Sequence, residues 1–134
     1  MKAVSFSSVA VGLGLILAAI PASAHHSFFA EFDSNKHVTL TGTVTKVEWE
    51  NPHARFYLDV KDESGAMAHW EFQMGSINVL VRGGWTRNTL KTGDTVTVNG
   101  YPAKDGSRLA NARVITLSDG RKLTGGSSFG TSIQ

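Results

Sequence analysis

The sequence predicts an all-β domain with one short helix, of the OB-fold type: a five-stranded, partly open Greek-key barrel. Alternating apolar and polar residues predict three strands, a helix and two further strands, which is the element order of that fold. The first strand also changes its side-chain parity part-way, as expected of a long strand that bends around a small barrel. A small antiparallel sandwich is the alternative.

The first predicted strand covers residues 38–49 and contains the change of parity. Its first apolar positions share one parity: Val38, Leu40, Gly42 and Val44. Its last two, Val47 and Trp49, have the other. A period of two cannot change phase without an extra residue, so we expect a bulge or bend near Thr45 and Lys46, with Gly42 easing the curvature.

Two more strands follow on either side of a turn at residues 62–65. Residues 54–61 alternate cleanly and place Phe56, Leu58 and Val60 on the inner face. Residues 67–73 are the third strand, with Trp70 and Phe72 facing inward.

The chain then changes from a strand period to a helical one. Ile77, Leu80 and Val81 lie at spacings of three and four, Ser76 is a candidate N-cap and Gly83 with Gly84 ends the segment, which predicts a short helix. Because valine and isoleucine are weak helix formers, a buried extended segment is the alternative.

The last strands are predicted at residues 95–101, where Val96 and Val98 face inward, and at residues 109–117. Asp119 and Gly120 predict a hairpin that leads into a short returning strand at residues 122–123.

The organisation of the chain begins with a predicted signal peptide. Lys2 precedes an apolar run over residues 9–20, and Ala22 and Ala24 flank one residue at a cleavage site of small residues. This run is shorter than the about 20 residues that a helix needs to cross a bilayer. We therefore expect a signal peptide at 1–24, an N-terminal segment at 25–37, the barrel at 38–124, a flexible Gly/Ser-rich tail at 125–134, and a periplasmic or secreted product without a membrane-spanning segment.

Composition excludes several classes of site. The 134 residues include no cysteine, which rules out disulfides, thiolate metal centres and cysteine nucleophiles. The formal charge of +2 is too small and too evenly spread to indicate a nucleic-acid partner.

Histidines are the candidate metal ligands. Cleavage after Ala24 would leave His25 first and His26 second, and a terminal histidine offers an amine and an imidazole, a nitrogen chelate that suits Cu(II). His53 is the candidate third ligand because Pro52 stiffens its loop; His26 and His69 are the next choices. If cleavage retains Ala24, His26 becomes the third residue, a spacing that binds Cu(II) or Ni(II) through backbone amides.

A second candidate site is the outer face of strands two and three, where OB-folds commonly bind ligands. We assign to this ligand-binding face Arg55, Tyr57, His69, Glu71 and Trp85. Each also has an ordinary structural explanation. The polar residues suit a solvated strand face, and Trp85 would equally close one end of the barrel.

Several motifs together resemble a bacterial family of small exported proteins known only as a domain of unknown function. They are His25-His26-Ser27-Phe28, Glu48-Trp49 with Asn51-Pro52-His53, Trp70-Glu71-Phe72, Gly84-Trp85-Thr86-Arg87, and Gly100-Tyr101 through Gly106. The resemblance covers nearly the whole mature chain and implies export, but it brings no activity, substrate or cofactor.

The function expected from these features is binding. We expect an exported protein that holds a small ligand or copper near the mature N-terminus and the Asn51-Pro52-His53 loop. The alternatives are an accessory subunit that docks a secreted or envelope protein and, last, an oligonucleotide-binding OB-fold. No nucleophile elbow, phosphate loop or carboxylate pair indicates an enzyme.

Overall fold

The computed structural model describes residues 28–127, which contain six strands and one short helix. In chain order they are β1 (Val38–Glu48), β2 (Arg55–Lys61), β3 (Met67–Gln73), α1 (Ile77–Arg82), β4 (Thr95–Pro102), β5 (Leu109–Thr116) and β6 (Lys122–Thr124). Residues 28–31 form a further helical turn. The predicted signal peptide, His25 and His26, and residues 128–134 lie outside the described residues.

The sheet closes into a five-stranded barrel, which confirms the predicted OB-fold. Antiparallel pairing runs in the order β3-β2-β1-β4-β5-β6, and β3 also pairs in parallel with β5. That pairing closes the ring through Glu71, Phe72 and Gln73, opposite Leu109, Ala110 and Asn111. The remaining strand, β6, extends the sheet from β5.

Strand β1 bends where its parity changes. Its register with β2 shifts between Val44 and Lys46, so Thr45 is the extra residue of a bulge, as predicted. Gly42 lies opposite β2 at close range, because a β-carbon at this position would come within 2.4 Å of the carbonyl oxygen of Asp59. A side chain here would force the two strands of the bend apart.

The barrel interior is filled by the side chains that the alternation placed inside. The inward-facing residues of β2, β3 and β4 that the alternation identified are buried or half-buried: Phe56, Leu58, Val60, Trp70, Phe72, Val96 and Val98. The rings of Phe56 and Phe72 stack with centroids 5.1 Å apart. Burial of these apolar surfaces is the main stabilising contribution in a cysteine-free domain of this size.

Helix α1 forms as predicted, but only one of its apolar side chains is fully buried. Ser76 caps it by accepting a hydrogen bond from the amide of Val79, and Gly83 ends it. Only Leu80 is buried, whereas Val81 is 54% exposed. A helix of six residues presents a single turn to the barrel, so Val81 lies on its outer side.

Both ends of the described chain pack onto the barrel. Phe28 and Phe32 form a second apolar cluster with Tyr101, and Phe32 makes a bridge to Ala103. At the other end, residues 125–127 are buried, and the carbonyl oxygen of Gly125 accepts a hydrogen bond from the amide of Gly75 at 2.8 Å. These three residues, placed by sequence in a flexible tail, are part of the packed domain.

Candidate functional site

The loop before β2 is fixed at the barrel end by hydrogen bonds to the segment between β3 and α1. We call residues 51–53 the NPH loop. The side-chain oxygen of Asn51 accepts a hydrogen bond from the amide of Ile77 at 3.1 Å, and the Asn51–Pro52 peptide bond is cis. Just beyond the loop, the amide of Met74 donates to the carbonyl oxygen of Ala54 at 2.8 Å. Hydrogen bonds therefore hold the loop at both ends.

A further hydrogen bond in the NPH loop determines which ring nitrogen of His53 carries the proton. Its Nδ1 lies 3.1 Å from the carbonyl oxygen of Met74, which can only accept a hydrogen bond. Nδ1 must then carry the proton, so in the neutral ring Nε2 has an unshared electron pair. The His53 side chain is also exposed. A backbone carbonyl that fixes one ring nitrogen is the arrangement commonly seen around metal-binding histidines, and it equally suits an acceptor for a ligand N–H group.

His53 faces a cleft of about 530 Å³ at this end of the barrel. That volume is within the usual range for small-molecule sites. The cleft is built from the N-terminal segment, the NPH loop, the end of β3, the start of α1, β5 and the last described residues. Its lining comprises Phe28, Glu31, Phe32, Pro52, His53, Gln73, Met74, Gly75, Ser76, Val79, Asn111, Gly126 and Ser127.

Sequence analysis missed the wall of this cleft that the N-terminal segment forms. Asp33 donates its amide hydrogen to the carbonyl oxygen of Pro102, and the backbone of Lys104 donates to that of Glu31, both at 2.9 Å. These bonds hold Phe28, Glu31 and Phe32 beside the cleft. The spacing of four between the two phenylalanines was an available signal, since it places them on the same side of a helical turn.

Asn111 is a second residue that sequence analysis missed. It lines the cleft, is only 4% exposed, and its side-chain oxygen has no hydrogen-bond partner among the described residues. Buried polar atoms are nearly always paired, so an unpaired one calls for an explanation such as a bound water or ligand. The sequence did offer an indication, because Asn111 is a polar residue between Ala110 and Ala112 in a predicted strand.

The predicted face of β2 and β3 exists, but its charges are paired within the face. Across the two strands, Nε of Arg55 lies 3.3 Å from Oε1 of Glu71, and His69 pairs with Asp59 through a contact of 2.5 Å. The Tyr57 hydroxyl donates to Glu48 at 3.2 Å. Partial burial, followed by the nearby carboxylates of Glu71 and Glu48, raises the pKa of Tyr57. The Tyr57 phenol therefore stays protonated. Because acidic and basic side chains alternate and pair across β2 and β3, the face carries both charges.

Trp85 does not belong to that face. It is 2% exposed within the core cluster, and its indole N–H donates to the carbonyl oxygen of Thr124 at 2.8 Å. Its placement among the face residues is corrected here, because a ring that packs inside the barrel and bonds β6 cannot stack on an outside ligand. Trp85 instead packs within the barrel, in agreement with the structural explanation that it closes one end.

Histidines are spread over the described part of the chain. His53 lies at the cleft, His69 on the strand face, and His37 against Tyr101 with ring centroids 5.0 Å apart. Within residues 28–127, no three or more His, Asp or Glu side chains are grouped so as to hold a metal ion.

The described residues form a small OB-fold barrel with a cleft at one end, and His53 is part of the lining of that cleft. The chain belongs to a family of unknown function (DUF6152), whose model matches residues 13–112. This match confirms the resemblance found in the motifs. It includes the N-terminal wall, the NPH loop and Asn111, while residues 126 and 127 of the cleft lie beyond it.

A comparison with curated proteins finds no match. Among residues 28–127, no helix has the length and hydrophobicity that a membrane span requires.

Proposed function

We propose that the protein is an exported binding module that holds a small ligand in the cleft at the end of its barrel. The observation that carries this proposal is the meeting of the NPH loop and the N-terminal segment around one cleft. Clefts of this size, mainly apolar and with a few polar groups, are the usual form of small-ligand sites. Export rests on the signal-peptide features of residues 1–24.

Copper is the first candidate ligand. In the proposed site, Nε2 of His53 is one ligand, and the amine and imidazole of His25 are the others. Three peptide units separate His25 from Phe28, a cleft residue, and an extended chain spans about 3.5 Å per residue. The length of chain between the two residues therefore permits a ligand at position 25 to reach the cleft. His26 replaces His25 as the binding residue if cleavage retains Ala24.

Titration calorimetry with Cu(II) on exported, processed protein tests the copper site. We expect His25→Ala and His53→Ala each to weaken binding at least about tenfold, because each removes a nitrogen ligand. His37→Ala is the matched control, since His37 is also exposed but contacts Tyr101 instead of the cleft. Equal binding by all four proteins would exclude the site. The intact mass of the exported protein, native and denatured, reports both the cleavage position and any retained metal.

A second candidate function is that of an accessory subunit that docks a partner through the outer face of β2 and β3. The observation in its favour is Met67, 49% exposed at the end of the outward row that includes His69 and Glu71. A photo-crosslinker at position 67 should then capture one discrete partner in cells. A crosslinker at Asn88, an exposed residue between α1 and β4, should not. Equal capture at both positions, or at neither, would contradict docking by this face.

A further inference from the structure

The polar groups around the cleft point to a particular ligand chemistry. Building on the proposed binding function, we propose that the cleft selects organic ammonium compounds, in which an amine is attached to a compact apolar body. Three kinds of observation support this selectivity. They are the hydrogen-bond acceptors of the lining, the lack of cationic side chains in it, and its apolar surface.

Acceptors are the distinctive polar groups of this lining. Glu31 contributes a carboxylate and His53 an unshared Nε2, and the lining also includes Asn111, whose buried side-chain oxygen has no partner among the described residues. An alkylammonium carries up to three N–H donors and no acceptor, so it can satisfy such groups. The carboxylate also favours a positive charge electrostatically, and a charge-assisted hydrogen bond is stronger than a neutral one.

Groups that would bind an anion are engaged elsewhere. No lysine or arginine of the described chain lines the cleft. Lys104, which is bonded through its backbone to Glu31, directs its ammonium group to the carbonyl oxygen of Phe29. At the start of α1, the amide of Ile77 is bonded to Asn51 and that of Val79 to Ser76. Among residues 28–127, no cationic side chain of the lining would offset the repulsion between a carboxylate ligand and Glu31.

The remaining lining fits the apolar part of such a ligand. It consists mainly of Phe28, Phe32, Pro52, Met74 and Val79. Phenylalanine rings attract cations through their electron-rich faces as well as apolar groups through contact. A cleft of about 530 Å³ can accommodate an amine with a single ring, so we expect a compact ligand and not one with a long alkyl chain.

Paired probes of equal shape and opposite charge test this inference. The probes are 2-phenylethylamine against 3-phenylpropionate, and cyclohexylmethylamine against cyclohexanecarboxylate, titrated by calorimetry into the processed protein without metal. We expect each amine to bind at least about tenfold more tightly than its acid. Glu31→Gln should weaken amine binding, whereas Glu63→Gln, an exposed carboxylate in the turn after β2, should leave it unchanged. Nuclear magnetic resonance should show the side-chain amide of Asn111 shifting with the amine.

The outcomes separate this inference from the function on which it rests. Acids that bind as well as amines, or a Glu31→Gln variant that binds amines normally, would overturn the ammonium selectivity. If Cu(II) binds and no amine does, the ammonium inference fails while the binding function stands. If neither amines, acids nor Cu(II) bind, both proposals fail.

Discussion

Nδ1 of His53 and the carbonyl oxygen of Met74 lie 3.1 Å apart, and this contact determines which nitrogen of the imidazole keeps an unshared electron pair. The carbonyl fixes the proton on Nδ1, and Nε2 remains available to a metal ion or to a ligand N–H group. The same relationship underlies the copper site and the ammonium site proposed above. Both depend on a histidine whose ring is oriented before any ligand binds.

The first prediction concerns the tautomer of His53. In the neutral ring of His53, we expect Nδ1 to be protonated and Nε2 to be unprotonated. Long-range ¹H–¹⁵N correlation spectra distinguish the two nitrogens. His37 provides the internal reference, because its ring contacts Tyr101 rather than a backbone carbonyl. A proton on Nε2 of His53 would contradict the proposed role of that nitrogen.

A second prediction concerns Asn51, which links the NPH loop to α1. Asn51→Ala removes the acceptor of the Ile77 amide, so hydrogen exchange at Ile77 should become faster. The loss of a side-chain cap of this kind costs about 1 kcal/mol. Asn88→Ala changes an exposed asparagine outside the loop and serves as the control. If the loop contributes to the ligand site, Asn51→Ala also weakens binding; unchanged exchange at Ile77 would show that the contact is unimportant.

A third prediction separates two tryptophans of the barrel. Trp85→Phe removes the hydrogen bond to Thr124 and leaves a space in the core, so we expect a loss of about 2 kcal/mol in the free energy of unfolding. Trp70→Phe should cost less, because Trp70 is only partly buried and packs on Phe72, and its indole has no hydrogen-bond partner among the described residues. Urea unfolding of both variants gives the comparison. An equal or reversed order would mean that the Thr124 bond contributes little.

The fourth prediction is that the stability of the protein depends on pH through Asp62, in the turn after β2. Hydrogen bonds from the Ser64 hydroxyl and from the amides of Ala66 and Ser64 lower the pKa of Asp62 below its ordinary 3.8, against a smaller opposing effect of burial. Because the folded-state pKa lies below the unfolded one, this stabilisation is present above about pH 4 and is lost as the pH falls through the folded-state value.

Asp62→Asn keeps the acceptor oxygen and removes the charge. The variant should therefore melt at a lower temperature than the original protein at pH 7, and the difference should shrink towards pH 2. Glu63→Gln makes the same change of net charge in the same turn and controls for general electrostatic effects. A melting-temperature difference that stays constant across this pH range would show that the Asp62 bonds do not depend on ionisation.

Local patterns predicted much of the barrel because they depend on neighbouring residues. The change of parity between Val44 and Val47 required an extra residue, and the register shift in β1 occurs there. The cap at Ser76 and the hairpin at Asp119 and Gly120 are likewise local, and each appears next to its predicted element. The NPH loop was also accessible from sequence, since a proline restricts its own residue and the one before it.

What the sequence by itself determined is the OB-fold class, the strand order, the bend in β1 and the presence of a proline-containing loop that bears His53. Tertiary structure alone decided that Phe28 and Phe32 pack on Tyr101, that Trp85 points into the core, and that Asn111 comes to line a cleft with His53. The physical reason is the distance along the chain. Periodicity records which face of a strand is buried, but the groups that meet at the barrel end are separated by tens of residues and are joined only when β3 pairs with β5.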